Sequence, residues 1–152
     1  MSNELPTKTV NEDGTIRYKL NYKLHRTDGP AVIYSDGRKY WYLNGKYHRL
    51  DGPAYIHPDG AKSWWVNGLR HREDGPAIVY PNGGKSWHLN GVRHRIDGPA
   101  VIYSNGYKEW ILNSEYYTRE EFFELLSPEQ KLTFVTNSSP WIGECMTLVV
   151  QR

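Results

Sequence analysis

The segment His25-Arg26-Thr27-Asp28-Gly29-Pro30-Ala31 returns as His48-Arg49-Leu50-Asp51-Gly52-Pro53-Ala54, then again from His71 and from His94, each time 23 residues on. A fixed period without insertion means that one supersecondary unit recurs and buries its faces against its neighbours. A fainter unit precedes these: Asp13-Gly14 and Asn21 stand 23 residues before Asp36-Gly37 and Asn44. The pattern decays at Ser114, Tyr117 and Thr118, where it calls for Gly, His and Arg. Degenerate ends are expected of units that also cap the array.

Each unit reads as β-structure. Ala31-Val32-Ile33-Tyr34 is rich in β-branched and aromatic side chains, and Ser35-Asp36-Gly37 follows as a turn. Lys39-Tyr40-Trp41-Tyr42-Leu43 predicts a second strand, closed by Asn44-Gly45, a dipeptide suited to the positive φ angles of a tight hairpin turn. Lys46–Arg49 runs back a short way before Asp51-Gly52-Pro53 redirects the chain. Turn signals recurring about every 8–12 residues leave no room for helices. The expected fold is mainly β: an elongated antiparallel meander of tandem hairpin units.

The order aromatic, Asp-Gly, aromatic, Asn-Gly, His at this period resembles the MORN repeat (membrane occupation and recognition nexus). It is more closely similar to the Leu-Asn-Gly…His-Arg-x-Asp-Gly-Pro-Ala repeats of tailed-phage and giant-virus proteins. The likeness covers about Asp13 to Tyr117, and departs from the usual MORN unit in carrying Asp-Gly-Pro-Ala where Gly-x-Gly is common. It implies a viral accessory protein that binds a host protein, such as a defence factor, and occludes its active site or interface.

Identity between copies marks what every unit needs. The Trp column (Trp41, Trp64, Trp87, Trp110) and the aliphatic column (Leu43, Val66, Leu89, Leu112) share one strand face and are expected to form the spine of the core. Ala31, Ala54, Ala77 and Ala100 are small where backbones approach, with Ile33, Ile56, Val79 and Ile102 filling beside them. The His column (His25, His48, His71, His94) invites a metal reading. Successive units of a meander put equivalent atoms about 9–10 Å apart, whereas zinc ligands converge to about 2 Å from one ion. The expectation is therefore that His and Arg bridge to the turn Asp or its carbonyls, and no metal or other cofactor is predicted. Asp28, Asp51, Asp74 and Asp97 stand beside the Arg column (Arg26, Arg49, Arg72, Arg95) and are expected to neutralise it. The stems of the Lys column (Lys39, Lys62, Lys85, Lys108) are expected to cover the indoles.

Columns that differ between copies are where function belongs. Tyr42, Trp65, His88 and Ile111 form one, on the face opposite the Trp column; Tyr40, Ser63, Ser86 and Glu109 lie beside it, and Tyr47, Arg70, Arg93 and Tyr116 form a third. Tyr40, Tyr42, Tyr47, Trp65, Arg70, His88 and Arg93 are the candidate protein-binding residues, being of the types that dominate interface hot spots. Lys39, Lys62, Lys85 and Lys108 are the candidates for a second reading: binding of single-stranded nucleic acid, nucleotide or acidic lipid. A self-assembling structural protein, a homo-oligomer joined through an unprotected sheet edge, stands third. No catalytic residues are assigned: the histidines are spread along a ladder, and the glycines come singly in turns without a phosphate-cradling sequel.

Charge is uneven: twelve Lys/Arg face nine Asp/Glu from His25 to Tyr117, a net of +3, against three and five from Thr118 onward, a net of −2. The lone Cys145 has no partner for an internal disulfide, and no apolar stretch reaches membrane-spanning length. A reducing, cytoplasmic setting is expected, the host cytoplasm for a viral protein. The organisation expected is a lead-in over 1–12, the array over 13–117 and a helical and strand cap over 118–152. Thr118-Arg119-Glu120-Glu121 and Ser127-Pro128-Glu129-Gln130 read as helix starts, and Cys145–Val150 as a strand.

Overall fold

A computed structural model describes residues 5–137. The chain opens with strands β1 (Thr7–Val10), β2 (Ile16–Leu20) and β3 (Lys23–Leu24). The first full unit supplies β4 (Val32–Ile33), β5 (Lys39–Tyr40), β6 (Tyr42–Leu43) and β7 (Lys46–Tyr47). The next repeats them as β8 (Tyr55–Ile56), β9 (Lys62–Ser63), β10 (Trp65–Val66) and β11 (Leu69–Arg70). The third gives β12 (Ile78–Val79), β13 (Lys85–Ser86), β14 (His88–Leu89) and β15 (Val92–Arg93). The last unit holds β16 (Val101–Ile102), β17 (Lys108–Leu112) and β18 (Glu115–Tyr117), followed by helices α1 (Arg119–Leu125) and α2 (Pro128–Asn137). The protein is thus mainly β, an antiparallel meander with two short helices at its C-terminal side. Its sheet starts at Thr7, inside the expected lead-in. The strand expected over Cys145–Val150 lies outside the described residues.

Two turn types punctuate every unit, each for a local reason. Asn44 and Gly45 adopt φ of 51° and 79°, and Asn67, Asn90, Gly68 and Gly91 repeat this geometry. Two successive positive φ values match the twist of a two-residue hairpin. The other turn pairs Tyr34 N–H with Arg38 C=O, Gly37 N–H with Tyr34 C=O, and Arg38 N–H with the Asp36 carboxylate. Its Gly37 sits at φ 90°, conformational territory where a side chain strains.

The sequence Lys39–Leu43 predicts one strand; the structure breaks it at Trp41, between β5 and β6. The halves join different ladders. β5 runs in a main sheet ordered β1-β2-β4-β5-β8-β9-β12-β13-β16-β17-β18, while β6 pairs only with β7 as a separate hairpin. Neighbouring hairpins are linked through Gly45 N–H to Leu24 C=O and Arg26 N–H to Tyr42 C=O, with equivalents in later units. Two rows of strands therefore run side by side, folded along the Trp column, and Tyr40 of one row meets Tyr47 of the other at 6.0 Å between ring centroids. Eleven strands at about 4.8 Å each extend the main row to about 50 Å.

The core lies inside this fold, not on the Trp face. Ala31, Ala54, Ala77 and Ala100 are fully buried, with Val32, Ile78, Val101 and Ile111 beside them. The expected fillers Ile33, Ile56 and Val79 instead pair with the exposed Lys39 and Lys62 and are only half-buried. Trp41, Trp64 and Trp87 are likewise half-buried. Period-two alternation separates two faces but does not say which one the sheet closes over. Bending along the Trp column closes the opposite face.

A single guanidinium layer covers the Trp face. Arg49 lies 4.2 Å above the Trp41 ring; Arg72 and Arg95 lie 4.0 Å above Trp64 and Trp87, and Arg26 4.0 Å above Tyr18. Each Nε donates to the turn aspartate (Arg49 to Asp51 at 2.9 Å, the others at 2.7 Å) and each Nη1 to the following Pro carbonyl at 3.3–3.4 Å. Gly29, Gly52 and Gly75 press on the guanidinium's other side: a Cβ there would stand 3.1 Å from the Arg Cζ. The glycine of Asp-Gly-Pro-Ala is thus a contact requirement. The indole cover expected of the Lys stems is provided by Arg. Histidine departs from expectation too: His25 Nδ1 lies 2.8 Å from Asn44 Oδ1 and accepts from Asn44 N–H at 3.2 Å, a tie to the next hairpin turn repeated by His48, His71 and His94.

Where the array ends, Trp110 finds Thr118 in place of the Arg eight residues on. Thr118 caps α1 through a reciprocal box with Glu121, and α1 and α2 lay Phe122 and Phe134 on the indole at 5.1 and 5.4 Å. Phe122, Leu126 and Phe134 form the small core of this end.

Candidate functional site

The trough between the two rows gathers the varied columns. On its hairpin wall stand, in spatial order, Tyr42, Tyr47, Trp65, Arg70, His88, Arg93, Ile111 and Tyr116, since each pair faces across one hairpin. The main-sheet wall carries Tyr40, Tyr55, Ser63, Ile78, Ser86, Val101 and Glu109. All seven candidate protein-binding residues share this trough.

Its N-terminal half is aromatic. Tyr42 stacks on Tyr47 at 4.4 Å and Tyr47 on Trp65 at 5.1 Å, and the Arg70 guanidinium lies 5.0 Å from the Trp65 ring. Tyr40 packs edge-on against Tyr34 at 5.4 Å and tilted against Tyr55 at 4.9 Å. Burial and neighbouring phenols push the Tyr42 hydroxyl well above its ordinary range. A cleft of about 370 Å³ opens between Tyr40 and Tyr55 on one wall and Tyr47, Trp65 and Arg70 on the other.

The C-terminal half is held by polar contacts between side chains. The varied column places His88 among the candidate surface contacts; the structure leaves it 5% exposed, buried on Ser86, whose Oγ lies 2.9 Å from Nε2, while its Nδ1 has no close hydrogen-bond partner among the described residues. Burial pushes this imidazole down to about 4, with Arg70 and Arg93 acting in the same direction and the Gly91 backbone against it. The contact copies one made a unit earlier, where Trp65 Nε1 donates to Ser63 Oγ at 2.6 Å. Further along, Tyr103 donates to Glu109 Oε1 at 2.9 Å, and Arg93 donates to the Tyr116 hydroxyl at 3.0 Å with the other Glu109 oxygen 3.9 Å away. Sequence spacing put these residues on one face; the contacts between units that bury His88 and engage Arg93 depend on the bend and are invisible in a one-dimensional pattern. Glu109 had no separate signal beyond its place in a varied column.

The Lys ladder lies elsewhere. Lys39, Lys62, Lys85 and Lys108 are exposed on the outer face of the main sheet, and no ion pair engages them among the described residues. No group of His, Cys, Asp or Glu among the described residues is arranged to hold a metal ion, and no helix there is long and apolar enough to cross a membrane. No protein-family model matches the chain, and no curated protein matches it either.

Proposed function

We propose that the protein is a non-enzymatic binding module whose trough receives a partner protein. The observation that carries this is a division of labour: side chains that repeat form the Arg clamps, the turns and the Ala core, and those that vary converge on the trough. The type of partner follows from the stack. Strand-binding proteins present open ring faces to successive bases, whereas Tyr42, Tyr47, Trp65 and Arg70 cover one another's faces. What remains toward a partner is ring edge, hydroxyl and guanidinium, the chemistry of protein interfaces. The Ser86–His88 contact repeats a Trp–Ser packing contact and is buried, which supports a structural role over a catalytic one. Likeness to phage and giant-virus repeats makes the partner a host protein, such as a defence factor, in the host cytoplasm.

Capture of partners from host lysate at moderate and at high salt tests this. A stoichiometric protein should survive high salt and be lost from a Tyr47→Arg, Trp65→His double variant, which adopts residues already carried at those places one unit on. Retention by the double variant would remove the trough from the interface. The second reading rests on the unpaired Lys ladder. It requires bound anionic material to be lost at high salt and on Lys39→Glu, Lys62→Glu, Lys85→Glu substitution together.

A further inference from the structure

Arg70 and Arg93 occupy the same column one unit apart, yet their surroundings differ in a telling way. Arg93 has a carboxylate, Glu109, sixteen residues on, and a hydroxyl, Tyr116, twenty-three residues on. The residues at those two offsets from Arg70 are Ser86 and Arg93. Ser86 is taken by His88, and Arg93 is a second cation. Arg70 consequently stacks on Trp65, is exposed, and has no carboxylate or carbonyl partner among the described residues, whereas Arg26, Arg38, Arg49, Arg72, Arg93 and Arg95 all do.

A planar guanidinium held on an indole, donors free, at the mouth of an aromatic cleft is matched by a planar oxyanion. Of the Lys ladder only Lys62 also borders this cleft, and no carboxylate among the described residues does. Ring faces buried in the stack leave no platform for a nucleobase beside the anion, and this favours a carboxylate over a phosphodiester. We propose that Arg70 is the anchor for an Asp or Glu side chain of the partner protein, which supplies the carboxylate that Glu109 supplies to Arg93, while an adjacent aromatic or branched apolar residue enters the cleft against Tyr47 and Trp65. This rests on the protein-binding reading and specifies its chemistry.

The test pans the immobilised full-length protein against a random linear peptide library displayed on phage. Enriched peptides should carry Asp or Glu at a fixed spacing from an aromatic or branched apolar residue. A synthetic copy should bind Arg70→Gln about tenfold or more weakly, the loss expected for a hydrogen bond to a charged group, and Arg70→Lys should recover only part. The Arg70 side chain makes no hydrogen bond among the described residues, so both variants should keep the wild-type circular dichroism spectrum. Enriched peptides without an acid, sensitive to Trp65→His but not to Arg70→Gln, would overturn the anchor and leave the protein-binding reading standing. Absence of enrichment, or binding indifferent to both substitutions, would overturn both. Inorganic phosphate or a dT oligonucleotide that displaces the acidic peptide and itself requires Arg70 would assign the oxyanion to phosphate and overturn the carboxylate.

Discussion

At the scale of single residues, the structure separates positions chosen for backbone shape from those chosen for contact. Gly52 is of the second kind: a methyl group would crowd the Arg49 guanidinium, which lies over Trp41, and force it to shift. Gly52→Ala should destabilise the protein by about 1–3 kcal/mol, the usual range for overpacking, measured by urea denaturation. Tyr22 is of the first kind. It holds φ at 62° where the three following units use Gly, and its side chain is 99% exposed. Tyr22→Gly should raise stability by about 1 kcal/mol, because the left-handed region penalises any other side chain. His88 adds a pH term. Its folded value, about 4, lies below the ~6.5 of an unfolded histidine, so between the two only the unfolded chain takes up the proton. Stability should be complete above about pH 6.5 and fall as the pH drops toward 4, with a limiting slope of ~1.4 kcal/mol per pH unit. His88→Trp, which recreates the indole–serine contact of the preceding unit, should remove that slope; an unchanged slope would place the titration elsewhere.

At the scale of elements, much was legible beforehand and for stated reasons. Asn-Gly and Asp-Gly specify their turns through positive backbone angles and, for Asp, a carboxylate bonded two residues on, and the Thr118 box specifies its helix through local hydrogen bonds, so each can be placed from a handful of neighbouring residues. The bend at Trp41 cannot. It arises because the two halves of Lys39–Leu43 join different ladders, a fact of long-range pairing. Without that bend, the pattern alone assigns the Trp column to the core and His88 to the surface. The cap also shows how an array stops: once Thr118 replaces the clamp arginine, Trp110 must be covered by something else, and Phe122 and Phe134 do it. Phe122→Ala should therefore cost about 3–5 kcal/mol, as for other buried aromatic truncations. The loss should appear in the hydrogen-exchange protection of β17 and β18 before that of β4 and β5.

At the scale of the molecule, stability should be additive over units, because each touches only its neighbours. Deleting 48–70 joins Tyr47 to His71 and restores the pattern across the cut. That variant should remain folded by circular dichroism and scatter as a shorter particle, while a deletion of half a unit should abolish cooperative unfolding. The Arg clamps point away from the trough, and this has an evolutionary consequence. Mutations at the exposed positions of the inner walls, such as Arg70 and Tyr116, are screened mainly for what they recognise, since the clamps that hold each unit's turns sit on the reverse side. In-frame duplication of a unit would lengthen the trough by about 10 Å and bring a fresh set of inner positions, open to drift before any of them is selected. A lineage carrying such a gene can change its target by exchanging or copying units, with no need to invent a new fold each time the target changes.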